Sequence, residues 1–155
     1  MEIMKKVTAP AMTVLSKVVR TTLEDLMKNI EDFPKEIVQE AVNAGLHPSG
    51  PQYWIYKWET CVTLEEFELK ICLPVATFGN TFSSDKFKLE KLEEYQHVKK
   101  THLGSWESLK DSYEALTEEM KAKNIVPGQT CRELYINCDF DKPENNITEI
   151  QFQIN

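Results

Sequence analysis

Asn124-Ile125-Val126-Pro127, running on to Arg132-Glu133-Leu134-Tyr135, is the most informative stretch of this chain, because it occurs twice in outline. Shifted back by 79 positions, Gly45-Leu46-His47-Pro48 runs on to Tyr53-Trp54-Ile55-Tyr56. Gly45 pairs with Asn124, and these two residue types best tolerate the left-handed backbone that ends a helix. Pro48 pairs with Pro127, Ile55 with Leu134 and Tyr56 with Tyr135. Upstream, Ile30 matches Leu109, Ile37 matches Leu116 and Ala41 matches Met120. Each copy therefore predicts a helix, a cap, a proline turn and a strand.

Downstream of each copy a second strand is expected, over 67–74 and over 148–154, where Glu68-Leu69-x-Ile71 resembles Glu149-Ile150-x-Phe152. The second helix is the clearer one. Trp106, Leu109, Tyr113, Leu116 and Met120 recur at spacings of three and four, which is one helical face. Ser105 is placed to cap its start, and Asn124 with Pro127 to stop it. The first helix is expected in two stretches, through Leu23, Leu26 and Ile30, then from Asp32-Phe33-Pro34 through Ile37 and Ala41. Proline is tolerated there only in the first turn. Strands over 13–20 and 95–102 precede the two helices, and the connection 77–91 adds one near 87–89. The prediction is an α+β fold: a duplicated strand-helix-strand-strand unit with pseudo-two-fold symmetry, antiparallel sheet forming a central cleft, and helices on one face. Residues 1–155 form one domain, with the first repeat at about 10–76 and the second at about 92–155.

The chain has 155 residues, 41% of them hydrophobic and 28% charged, a balance that excludes global disorder. No run approaches the ~20 apolar residues of a membrane span, and the first residues lack a secretion signal. A net charge of −7 argues against nucleic-acid binding through the general surface. The residues before Leu23 leave no room for a helix-turn-helix, so direct operator binding by this chain is not expected. Cys61, Cys72, Cys131 and Cys138 show no metal spacing and are read as free thiols, which fits a cytoplasmic location. No metal motif, phosphate loop or cofactor fingerprint is present.

Alternation along the strands suggests a site. Leu134 and Ile136 are expected to cover the second helix, leaving Glu133 and Tyr135 on the opposite face. Ile55 is expected to cover the first helix, leaving Trp54, Tyr56 and Trp58 facing away. Where the two away faces meet, rings surround a single carboxylate. Aromatic faces attract cations and flat apolar rings, and the carboxylate supplies the counter-charge. Burial raises its pKa, which also suits general-base work. Trp106 is expected at the cleft rim and Tyr113 in the core. His102 is read as a surface histidine.

Several of these segments together resemble a known family. They are His102-Leu103-Gly104-Ser105-Trp106-Glu107-Ser108-Leu109 with Tyr113 and Leu116, then Asn124 to Pro127, Glu133-Leu134-Tyr135 and Thr148-Glu149-Ile150. In the first half they are Thr13-Val14-Leu15, Thr22-Leu23-Glu24-Asp25 and Leu46-x-Pro48-x-Gly50-Pro51 leading to Tyr56. This pattern is similar to the GyrI-like family, the effector-binding domain of AraC-type and multidrug-sensing activators. The resemblance implies a cleft for lipophilic, often cationic ring compounds, with Glu133 inside it. It also implies two alternatives. One is a hydrolase opening cyclopropane-type electrophiles, with Glu133, Tyr56 and Tyr135 catalytic. The other is a protein acting on gyrase or a regulator. One departure is Gly104-Ser105-Trp106, where the family has Gly-Pro-Tyr, which alters the cleft rim. The leading expectation is a stand-alone domain that captures such compounds through Trp54, Tyr56, Trp58, Trp106, Glu133 and Tyr135, without cofactor or metal.

Overall fold

Left-handed backbone marks the end of each long helix: Gly45 has φ +72° and Asn124 φ +56°. The first terminates α2 (Asp32–Asn43) and the second α3 (Leu109–Ala122). The computed structural model describes residues 5–57 and 66–154. Trp58 and Cys61 lie outside them. The remaining elements are β1 (Val7–Ala9), β2 (Met12–Thr21), α1 (Leu23–Lys28), β3 (His47–Pro48), β4 (Tyr53–Lys57), β5 (Phe67–Ala76), β6 (Lys88–Leu92), β7 (Tyr95–Leu103), β8 (Pro127–Asn137) and β9 (Ile147–Ile154). Thr22 caps α1 by accepting from the Asp25 amide at 3.2 Å. Pro34 falls in the first turn of α2, where its missing N–H costs nothing. Trp106–Ser108 is a single 3-10 turn leading into α3, capped by Ser105.

All the pairings are antiparallel, in the order β1-β7-β9-β8-β4-β5-β2-β6, with β3 beside β5. Outward from the central β4–β8 pair, the order β5-β2 on one side mirrors β9-β7 on the other. Trp54 lies directly opposite Glu133, its own equivalent at the 79-residue shift. The pseudo-two-fold axis therefore passes between those two residues. Pro10 and Ala11 alone connect β1, at one end of the sheet, to β2 near the other. Two linking residues reach only about 10 Å, so the sheet curls until its ends approach. The result is an antiparallel half-barrel.

One expectation is corrected here. The repeats join edge to edge through β4 and β8, so both sets of helices lie on the same face of one continuous sheet. Trp54 packs with Leu26, Ile37 and Ala41 from α1 and α2. Cys131, Ile150 and Phe152 pack with Leu116 and Met120 from α3. Ile55 instead turns to the other face, against Val14, Cys72 and Leu92. Leu134, directly opposite Tyr53 in the ladder, shares that other face, and Ile136 is half exposed. The face carrying Trp54, Tyr56, Glu133 and Tyr135 is therefore the helix-facing one. The reason is geometric: edge pairing puts the symmetry axis across the sheet, whereas the expectation assumed two stacked faces.

Candidate functional site

Glu133 and Tyr135 stand two apart on β8, so both project toward the helices. Their neighbour Tyr56 comes from β4 on the same side. From above, the 3-10 turn brings down Trp106 and α3 brings down Tyr113. These side chains wall a cavity of about 870 Å³ between α1, α3 and the sheet. Leu26, Met27 and Phe67 supply apolar wall from the first repeat, and Phe152 from the second. A volume of that size suits a drug-sized ligand.

Glu133 is only 8% exposed. Both of its oxygens accept hydrogen bonds from phenols, Oε2 from the Tyr113 hydroxyl at 2.5 Å and Oε1 from the Tyr135 hydroxyl at 3.0 Å. The Tyr113 bond is the shorter of the two, in the range of a charge-assisted hydrogen bond. No Lys or Arg forms an ion pair with it among the described residues. Burial pushes its pKa above the usual carboxylate range, and the two phenol donors and the nearby His102 pull the other way. Burial, reinforced by the Glu133 charge and by Tyr56, drives the Tyr135 pKa well above that of a free phenol, so Tyr135 stays a proton donor. Around the cavity five acidic side chains (Glu107, Glu114, Glu118, Glu133 and Asp139) face two basic ones (Lys110 and Lys121), giving it a negative field.

The Trp106 and Trp54 ring contacts are edge-on, and that of Tyr113 with Phe152 is tilted. Trp106 meets Tyr135 at 5.4 Å and Phe140 at 5.9 Å between ring centroids, and Tyr113 meets Phe152 at 5.5 Å. The Trp106 indole N–H donates to Thr148 Oγ1 at 3.0 Å, which fixes the ring. Trp54 is buried, with its ring against Tyr135 at 5.1 Å. It faces a smaller recess, not the large cavity. Tyr56, Trp106, Glu133 and Tyr135 thus come together, Trp54 stands beside them, and Trp58 lies outside the described residues.

Two residues were misplaced by sequence reasoning. Tyr113 belongs to the cavity wall and to Glu133 itself, because only the packing of α3 on the sheet brings it there. His102 is buried, not at the surface. Its Nε2 lies 2.8 Å from the Ser105 carbonyl, and Nδ1 lies 2.7 Å from Ser112 Oγ. It ties the Trp106 turn and α3 to β7. The spacing Trp106 to Tyr113 already placed both rings on one helical face, but gave no sign of what that face met. Among the described residues no cluster of His, Cys, Asp or Glu is arranged to hold a metal ion.

No protein-family model and no curated protein sequence matches this chain. Solved structures share its fold. The C-terminal domain of EcmrR aligns with a TM-score of 0.78 at 20% identity, over 97% of this chain and 96% of that one. In an EcmrR–DNA complex the match at 21% identity, TM-score 0.77, covers 97% of this chain and 56% of the longer one. SAV2435, solved with tetraphenylphosphonium bound, aligns with a TM-score of 0.58 at 14% identity, over 99% and 94%. A hydrolase from Listeria innocua aligns with a TM-score of 0.68 at 11% identity, over 97% and 91%. These likenesses bear out the GyrI-like fold expected from the sequence. No helix among the described residues is long and apolar enough to cross a membrane.

Proposed function

We propose that this chain is a small-molecule-binding domain that captures hydrophobic ring compounds carrying positive charge. The observation that carries the reading is Glu133, a buried carboxylate with no Lys or Arg ion pair among the described residues, in the wall of a large aromatic cavity. A desolvated charge is costly, and a ligand cation seated among rings offsets that cost while gaining from the ring faces. In this reading Tyr56, Trp106 and Tyr135 contact the ligand, Glu133 matches its charge, and Trp54 supports Tyr135. SAV2435, which shares the fold, binds one such cation. Among the described residues Cys72 and Cys138 are free thiols, which agrees with a reducing cytoplasm. Fluorescence titration with tetraphenylphosphonium tests the proposal: saturable binding is expected, weakened at least tenfold in Glu133→Gln, and unchanged affinity in that variant would count against it.

A second reading is favoured by the pairing of a raised-pKa carboxylate with phenol donors, and by the hydrolase among the fold's relatives. Glu133 would take a proton from water as its oxygen bonds to a ring carbon, the strained carbon–carbon bond breaks with its electron pair passing to the conjugated carbonyl oxygen, and Tyr56 or Tyr135 donates a proton to that oxygen. Turnover of a cyclopropane-bearing alkylator, lost in Glu133→Gln, distinguishes catalysis from capture. The gyrase or regulator partner that the sequence resemblance implies adds a third arm, tested by pull-down with purified gyrase.

A further inference from the structure

Beside the large cavity lies a second recess of about 110 Å³, walled by Trp54, Trp106 and Tyr135, with Ile30, Pro34, Gln52 and Cys138 completing it. Its chemistry differs from that of its neighbour. The side chains of Trp54, Gln52, Trp106 and Tyr135 each have a hydrogen-bond partner already. The Trp54 indole N–H donates to Gln52 Oε1 at 3.1 Å, and Gln52 Nε2 donates to the Pro34 carbonyl at 3.0 Å. The Trp106 N–H is bound to Thr148 and the Tyr135 hydroxyl to Glu133. Cys138 is exposed, so the recess opens beside it. Burial, with Asp139 and Glu31, pushes the Cys138 thiol pKa up, so at neutral pH it is an uncharged wall group.

Such a space holds water poorly, since an ordered water needs two to four polar partners. Its walls also lack the dispersion contacts that an occupant would supply. We infer that this recess is a separate subsite for a small uncharged apolar group, no larger than a single ring. For scale, an engineered cavity of about 150 Å³ with apolar walls accepts benzene. The subsite selects by size and apolarity, whereas the large cavity selects by charge. The two share the wall formed by Trp106 and Tyr135.

Benzene is the probe, and its position is read by NMR. Among the two cavities' walls Trp54 belongs to the recess alone, so nuclear Overhauser contacts from benzene protons to the Trp54 ring are the expected result in the unmodified protein. Contacts confined to Phe152 or Tyr113, or none at all, would overturn the inference. Cys138→Phe places a ring at the opening and is expected to lower benzene affinity at least tenfold. Full benzene affinity in a folded Cys138→Phe protein would also contradict it. Tetraphenylphosphonium titration of that same variant keeps the two sites apart, because this inference stands whether or not the large cavity takes a cation.

Discussion

Glu133 is costly where it stands. Its folded pKa is raised, so the folded chain holds the proton more tightly than the unfolded chain does. Stability is therefore lost as pH rises from the ordinary carboxylate range through the raised pKa, above which the ionised group is a net burden. Glu133→Gln removes that burden while keeping an acceptor for one phenol. Thermal unfolding at neutral pH should show the variant melting a few degrees higher, the shift that about 1 kcal/mol produces in a chain of this size. Such a gain in stability with loss of binding is the usual sign of a functional strain. Tyr113→Phe makes a sharper test. It keeps the ring packed on Phe152 but removes the donor to Oε2, so the Glu133 pKa rises further. Cation binding requires the carboxylate, so the pH midpoint of tetraphenylphosphonium binding should move upward in this variant. An unmoved midpoint would show that the phenol does not tune the acid.

At the scale of elements, the helix ends carry the clearest sequence signal and the clearest consequence. A Cβ at Gly45 would lie 2.9 Å from Asn80 Nδ2, which itself donates to the Gly45 carbonyl at 2.8 Å. Gly45→Ala should therefore cost about 1–2 kcal/mol in chemical denaturation, from positive φ and the crowded amide. Its counterpart Asn124→Gly should stabilise or be neutral, since glycine takes φ +56° without strain. The helices, their stops and most strands were legible because each follows from local patterns. Ser105, Pro34, Gly45 and Asn124 act within their own turns. The facing of β4 and β8 was not legible. Period-two alternation separates Trp54 from Ile55 but does not say which side the helices occupy, and that depends on how the two repeats dock. Tyr113 was misplaced for the same reason, since only the tertiary packing of α3 brings it to Glu133. The short β1 was missed because Val7–Ala9 offers too few residues for a period to show.

For the whole molecule, the duplication places one acid where symmetry would allow two of anything. Trp54 and Glu133 occupy equivalent positions across the axis, yet one is a ring and the other a charge. The first repeat thus gives up the symmetric position to apolar wall, and the second repeat supplies a carboxylate there. The net charge of −7 and the acidic surroundings of the cavity extend its field into solvent. Association of a lipophilic cation should therefore slow as salt rises, while an uncharged ring compound of the same shape should not, because screening acts only on the steered species. Stopped-flow fluorescence at two ionic strengths measures this, and equal salt dependence for both would remove the steering role.

The central claim is that a ligand's positive charge is matched by Glu133. Calorimetric titration with tetraphenylphosphonium, repeated in buffers of different ionisation enthalpy at mildly acidic pH, reads it through protons. A cation settling beside a partly protonated Glu133 must expel its proton. The account predicts proton release that fades as pH rises and vanishes in Glu133→Gln. Binding of equal strength in both proteins, with no proton released in either, would contradict it.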